Sequence, residues 1–213
     1  MSTEKCIVCE GKKLQPLLFY YSRFLAKFFH RIAICLKCGH VQVHPLFSKE
    51  ELEKINNQFF GKLYMEGNKQ NLANNQVKLS KLDERLSPFI SERMNVLDVG
   101  AGEAWTMDYF QQKKCNYFAI ESVPRLADSI AARGGVVIGK DVFENLCDYK
   151  SFFNIIVFRH IIEHLLDPKL AFKTLCNLLS KDGYIYLALP NAEQPSKNIG
   201  FGRGFRTSFI RPV

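Results

Sequence analysis

From residue 94 to residue 190 the chain alternates short apolar runs with helix-like segments, and this alternation restricts the fold more than any other feature. The runs "MNVLDVG" (94–100), "NYFAIES" (116–122), "GVVIG" (135–139), "FNIIVFR" (153–159) and "GYIYLALP" (183–190) have the length and composition of strands. Between them, Pro124 opens "RLADSIAAR", which Gly134 and Gly135 terminate. Asp167-Pro168 opens "KLAFKTLCNLL", which "SKDG" is expected to close. Apolar strands separated by helices imply an α/β fold, a mostly parallel sheet with helices on both faces.

In such sheets ligands bind beyond the carboxyl ends of the strands. The first run ends there at Asp98, and Gly100 and Gly102 follow, with Ala104 where a third glycine is expected. Glycine lets a backbone approach a ligand closely, and the helix expected next offers free amides. The same turn also serves as a plain strand-to-helix connection. Glu121, 23 residues after Asp98, ends the second run, where a carboxylate can accept both hydroxyls of a ribose. Asp141 follows the third run, where a carboxylate can accept from an exocyclic amine. Each acid alone reads equally well as a helix cap or a solvated loop residue.

Four of the seven cysteines form two pairs, Cys6-Ile7-Val8-Cys9 and Cys35-Leu36-Lys37-Cys38, separated by 25 residues. Two such knuckles point four thiolates at one tetrahedral Zn²⁺, and four protein ligands leave no open position, so the metal is expected to be structural. Buried or redox-active thiols are the alternative. Cys115, Cys147 and Cys176 stand alone and read as core residues, and Gly39 and His40 as turn residues.

These features divide the chain into a zinc ribbon over 1–45, a helical linker or cap over 46–92 and the α/β body over 93–213. Within the linker, Ser48 and Glu51 form a capping box, so a helix is expected to begin there. Leu72, Val77, Leu79, Leu82 and Leu86 give a second helix, over 70–86, an apolar face, and Pro88 limits it.

No run of eighteen apolar residues occurs, and Arg23 and Lys27 interrupt the aromatic stretch over 17–29. Neither a membrane span nor a secretory signal is expected, which makes a cytoplasmic location the default. The net charge of +8 favours anionic partners, but the basic residues are scattered apart from Lys197, Arg203, Arg206 and Arg211. Nucleic acid is therefore the less favoured partner.

Taken together, "VLDVGAGEAWTMDYF", "FAIES", "GKDVFENL", "FFNIIVFRHIIEHLLDPKLAF" and "LLSKDGYIYLALPN" resemble, in order and spacing, the motifs of class I S-adenosylmethionine-dependent methyltransferases. The resemblance covers residues about 94 to 191 and implies a Rossmann-like fold with S-adenosylmethionine as cofactor. By it, Gly100, Ala101 and Gly102 border the methionine part, Asp98 organises the turn, and Glu121 with Ser122 meets the ribose. Asp141 with Val142 meets the adenine, and Arg159 completes the cofactor-binding set. The front end, a four-cysteine ribbon leading into "CGHVQVHPLFSKEEL", resembles bacterial methyltransferases of sugar and polysaccharide biosynthesis. That implies a small-molecule acceptor such as a nucleotide-linked sugar. Zinc ribbons also precede methyltransferase domains acting on ribosomal RNA, which keeps an RNA methyltransferase open as an alternative, beside a non-catalytic partner module.

His160-Ile161-Ile162-Glu163-His164 matches the HxxEH pattern of one zinc-protease class, which on a helix puts both histidines on one face. The surrounding strand is the wrong context for that enzyme. His160, at the end of the fourth run, is instead the candidate catalytic base; substrate positioning is its alternative role, and Glu163 and His164 brace the neighbouring loop.

Class I methyltransferases usually end with two more strands in an antiparallel hairpin. Only 22 residues follow Asn191, with glycines at 200, 202 and 204. The C-terminal strands are therefore expected to be missing. The sheet edge is then left to the tail, a second copy or a partner chain.

Overall fold

Val96, Leu97 and Val99 of one strand are all at most 2% exposed, as are Ile155, Ile156, Val157 and Phe158 of its neighbour. Strands this apolar are stable only when both of their faces are covered. The computed structural model describes residues 5–17, 30–52, 54, 71–190 and 205–210, with backbone alone over 71–77, at 190 and over 205–210. It divides into two compact units, Met1–Lys69 with Leu166–Pro168, and Gln70–Leu165 with Lys169–Val213.

The first unit contains an antiparallel sheet of β1 (Leu14–Pro16), β2 (Arg31–Cys35) and β3 (Val41–His44), in that order. Leu14 pairs with Cys35 and Arg31 with His44. The capping box forms as expected: the Ser48 amide donates to Glu51 Oε2 at 2.8 Å and the Glu51 amide to Ser48 Oγ at 3.1 Å. The aromatic insert over 18–29 lies outside the described residues.

In the second unit the six-stranded sheet contains β4 (Asn95–Val99), β5 (Asn116–Ile120), β6 (Val136–Gly139), β7 (Phe153–Arg159), β8 (Leu179–Pro190) and β9 (Phe205–Ile210). The spatial order is β6-β5-β4-β7-β8-β9; the first five are parallel and β9 is antiparallel to β8. The chain runs outward from β4 to β6 and then restarts at β7 on the other side, so the order reverses between β4 and β7. One face carries α1 (Asn71–Leu86), α2 (Met107–Gln112) and α3 (Pro124–Ala132), whose Leu82, Leu86, Met107, Phe110 and Ile130 join Val96, Ile155 and Val157. On the other, α4 (Pro168–Leu178) brings Ala171, Leu175 and Leu178 to Leu97, Ile156 and Phe158. Each fully buried leucine, isoleucine or phenylalanine contributes about 1.5–3 kcal/mol, which fixes the alternation along both strands.

Three expectations change. "SKDG" does not terminate a helix in a turn: β8 already starts at Leu179, and these residues form an irregularity in it, because Phe153 pairs with Leu179 but Ile155 with Tyr184. Gly183 is required there, since a Cβ would lie 2.7 Å from Leu179 Cγ and 3.0 Å from the Asn154 carbonyl oxygen. The helix after the glycine turn is short and late: α2 has six residues and begins five positions past Gly102. Finally, the tail supplies one strand where none was expected. With β9 paired along Ile185 to Pro190, the tail itself covers the edge for which a partner chain or second copy was considered. Of the basic residues near the end, Lys197, Arg203 and Arg211 lie outside the described residues, as does the side chain of Arg206.

Candidate functional site

The two cysteine knuckles adopt the same local structure. In the first, the Glu10 amide donates to the Cys6 carbonyl at 2.9 Å and the Cys6 amide to Gly11 at 2.9 Å; in the second, Gly39 donates to Cys35 and Cys35 to His40, both at 2.8 Å. The residue after each knuckle is left-handed, Glu10 at φ 59° and Gly39 at φ 74°. This reversal turns both sulfurs of a pair the same way. Cys6, Cys9, Cys35 and Cys38 then bring their Sγ atoms within 4.8 Å of one another, with Cys6–Cys38 at 3.7 Å and Cys9–Cys35 at 3.5 Å. Tetrahedral ligation at a Zn–S length of about 2.3 Å requires sulfurs about 3.8 Å apart, so the donor set fits that ion. His40 is outside the group.

In the second unit the expected cofactor residues gather at the carboxyl ends of the parallel strands. Gly100 and Gly102 are both left-handed, at φ 68° and 57°, which only glycine adopts without strain. The turn is held by β5: the Gly100 amide donates to the Ile120 carbonyl at 2.8 Å, and the Gly102 amide donates to Glu121 Oε2 at 2.7 Å. Glu121 Oε1 accepts from the Val123 amide at 2.8 Å, while the Glu121 amide donates to Gly139 at 3.0 Å. One buried carboxylate thus ties together the loops after β4 and β5. Ala101 is buried against the core and Ser122 is exposed. A Cβ on Gly100 would lie 2.3 Å from Ile161 Cδ1, so the space this glycine opens is filled by the residue beyond His160.

Asp98 is buried beneath the turn. Its Oδ2 accepts from Thr106 Oγ1 and, at 2.8 Å, from the Tyr117 hydroxyl, which links β4 to β5 and to the start of α2. Burial pushes the Asp98 carboxyl up from its ordinary range, against the lowering effect of the two hydroxyls and of Arg159. Ala104, fully buried, is left-handed at φ 47°, so the residue standing for a third glycine does adopt a glycine-like backbone.

Asp141 lies beyond β6 and is exposed, its Oδ1 accepting from the Phe143 amide at 3.1 Å. Val142 turns inward and packs in the core with Leu97, Val99 and Ile120. Arg159 ends β7, half-buried, with Cζ 4.4 Å from the Trp105 ring centroid. Burial pushes its pKa down, opposed by Asp98.

His160, next in sequence, is left-handed at φ 54°, and its amide donates to the Ala188 carbonyl at 2.9 Å. Its Nδ1 lies 3.4 Å from Glu163 Oε1. His160 and His164 do not share a helix: a single 3₁₀ turn over Ile162–His164 follows the left-handed residue. Among the described residues, the side chains whose ligand atoms converge for a metal are the four cysteines, not this segment. The sequence reasoning missed Thr106, Tyr117 and Ile161. Their partners are distant in sequence, and the one available signal was the chain's single tryptophan, Trp105, three residues past Gly102.

The crystal structure of coclaurine N-methyltransferase bound to N-methylheliamine and SAH is similar in fold: 65% of this chain and 46% of that chain superpose at TM-score 0.54 and 20% identity. A SAM-dependent methyltransferase from Thermotoga maritima, a possible histamine N-methyltransferase, matches over 67% and 63% of the two chains at TM-score 0.49 and 18% identity. One from Archaeoglobus fulgidus matches over 66% and 58% at TM-score 0.47 and 18% identity. The chain therefore spans about half to two thirds of the length of these proteins. No curated protein matches it. The family described as a methyltransferase domain matches residues 72–206, well over half of the chain, including the glycine turn, Glu121, Arg159 and His160. By that match the chain belongs to the methyltransferase-domain family.

Proposed function

We propose that this chain binds S-adenosylmethionine at the carboxyl edge of its parallel sheet and transfers the methyl group to a small molecule, a nucleotide-linked sugar by preference. The observation that carries the reading is the left-handed Gly100–Gly102 turn anchored on the buried Glu121 carboxylate, beside the reversal of strand order. The residues fit the cofactor. Each oxygen of Glu121 accepts one amide, and a carboxylate has about four acceptor positions, so capacity remains for two ribose hydroxyls. Gly100, Ala101 and Gly102 border the methionine part over the Asp98 network, Ser122 adjoins the ribose, Asp141 and Val142 close the adenine end, and Arg159 supplies a cation.

When bound, the cofactor supplies a methyl group on a sulfonium, which carries its own leaving group. The chain's task is then to align the acceptor, exclude water and manage one proton. His160 accepts that proton from an oxygen or carbon acceptor, with Glu163 Oε1 3.4 Å from its Nδ1 orienting the ring. The cysteine cluster holds a structural zinc ion that folds the first unit. A cytoplasmic location is part of the same proposal. No helix of the described residues is long and apolar enough to cross a membrane.

Radiolabelled methyl transfer, screened over nucleotide sugars, small metabolites and RNA, tests the reading. Label in a nucleotide sugar supports it fully, and label only in RNA overturns the acceptor class. Absence of both transfer and S-adenosylhomocysteine binding by calorimetry overturns the cofactor assignment.

A further inference from the structure

We propose that Arg133 is a positioning residue for the cofactor turn, its guanidinium holding the segment after Gly102 in the shape that binds the methyl donor. Residues 100–106 carry three left-handed positions, Gly100, Gly102 and Ala104, and no helix forms before Met107. The backbone bonds within this stretch and into α2 are few. The Ala104 amide donates to the Ala101 carbonyl at 2.9 Å and the Met107 amide to the Ala104 carbonyl at 3.1 Å, while no backbone amide among the described residues donates to the Glu103 carbonyl. The shape therefore depends on groups that reach the segment from elsewhere. Arg133, the residue after α3, does so with both ends of its fork. Nη1 donates to the Glu103 carbonyl at 3.3 Å; Nη2 donates to the Ala104 carbonyl at 3.5 Å and to Asp108 Oδ1 at 2.8 Å.

The charges suit the groups they hold. The Glu121 carboxylate takes the Gly102 amide, and one residue further on the Arg133 guanidinium takes the Glu103 carbonyl. An anion thus holds an N–H and a cation holds a C=O of the same short stretch. Glu121 precedes α3 and Arg133 follows it, so one helix braces the turn from both of its ends. The base of the brace is fixed as well, because Gln111 Nε2 on α2 donates to the Arg133 carbonyl at 3.1 Å. A guanidinium presents its five N–H donors in one rigid plane, so acceptors at 103, 104 and 108 are held in a single geometry.

Through this backbone Arg133 acts on more than the turn. Trp105 follows Ala104, and its ring lies 4.4 Å from Arg159 Cζ at the end of β7, the residue before His160. A shift of the Glu103 and Ala104 carbonyls therefore moves Gly102 on one side and Trp105 on the other. The inference rests on the proposed cofactor site for its ligand, whereas the bracing is a matter of the chain's own contacts.

The test compares the full wild-type chain with Arg133→Met, which keeps an apolar stem and removes the fork, and Arg133→Lys, which keeps the charge on a single nitrogen. Trp105 is the chain's one tryptophan, so its fluorescence anisotropy reports on this segment alone. At a temperature where circular dichroism is native, Arg133→Met is expected to lower the anisotropy of the unliganded chain. Its affinity for S-adenosylhomocysteine, measured by calorimetry, is expected to weaken about tenfold. Arg133→Lys should follow it, because one nitrogen cannot span three acceptors. A merely structural arginine would lower the urea midpoint alone. Wild-type anisotropy or wild-type affinity in the folded methionine variant overturns the proposal, and full recovery of both by lysine overturns the role of the fork. Should Arg133→Met fail to fold, the lysine variant gives the same decision. A wild-type chain that does not bind S-adenosylhomocysteine refutes the cofactor assignment instead, and the anisotropy of the variants then decides the brace.

Discussion

The Gly102 amide donates to Glu121 Oε2 at 2.7 Å, so the turn after β4 is shaped by a side chain from the end of β5. The other oxygen holds the Val123 amide. Glu121→Gln turns one acceptor into an amide donor facing an N–H, and we expect a stability loss of about 1–3 kcal/mol with weakened S-adenosylhomocysteine binding. Urea denaturation and calorimetry on the same sample check both. Full stability in the glutamine variant would mean that the bridge does not shape the turn.

Gly100→Ala meets two obstacles, the left-handed backbone at φ 68° and the Ile161 side chain 2.3 Å from the new methyl. The backbone part alone costs about 1–2 kcal/mol. In an Ile161→Ala background the steric part vanishes while the backbone part stays, giving a coupling on the order of 1 kcal/mol. A double-mutant cycle by denaturation measures it, and strictly additive effects would show that Ile161 does not cover the glycine.

Burial raises the Asp98 carboxyl in the folded chain above its ordinary pKa, so the folded state holds this proton more tightly than the unfolded state. Its contribution to stability is then fully present below the unfolded pKa of about 3.9 and is lost as pH rises through the raised folded value. Asp98→Asn removes that dependence and keeps an acceptor for Thr106 and Tyr117. We expect a flatter stability–pH curve from pH 4 upward for the variant than for wild type. Parallel curves would exclude Asp98 as the titrating group.

His160 at φ 54° carries strain that glycine relieves and alanine retains. His160→Gly is therefore expected to be about 1 kcal/mol more stable than His160→Ala, less a few tenths for glycine's freedom in the unfolded chain. Both variants remove the proposed base, and methyl transfer to an oxygen or carbon acceptor should fall about 10²- to 10⁴-fold in each. Thermal melts and turnover assays read the two effects separately; wild-type turnover in either variant removes the base assignment.

The cysteine cluster predicts one zinc ion per chain by elemental analysis. Cys9→Ser or Cys35→Ser should strip the metal and unfold the first unit, because four thiolate bonds replace much of the core that so small a unit lacks. Cys115→Ser and Cys147→Ser should leave the metal content unchanged. Metal retained in the knuckle variants would sink the assignment.

Much of this was legible before the fold. The run over 153–159 is a strand with those same bounds, because an apolar segment between turn signals has few other uses. The Ser48–Glu51 box and the glycine end of α3 are local chemistry and formed as read. "SKDG" misled because its turn-forming residues were absorbed as an irregularity in β8, which depends on pairing with β7. The tail strand escaped notice because six residues among glycines carry little periodicity until β8 offers a partner.

By itself the sequence determined the alternation of strands and helices, the two knuckles and the acids at successive strand ends, since each follows from local spacing and side-chain type. The tertiary structure alone decided that Ile161 fills the space over Gly100, that Asp98 is sequestered by Thr106 and Tyr117, and that Lys78 and Arg159 both lie near the Trp105 ring. Those contacts join residues up to 61 positions apart, Gly100 to Ile161, and arise from the order in which the strands pair. Periodicity within one segment carries no information about that order, because it is set by which buried faces meet when the whole sheet closes.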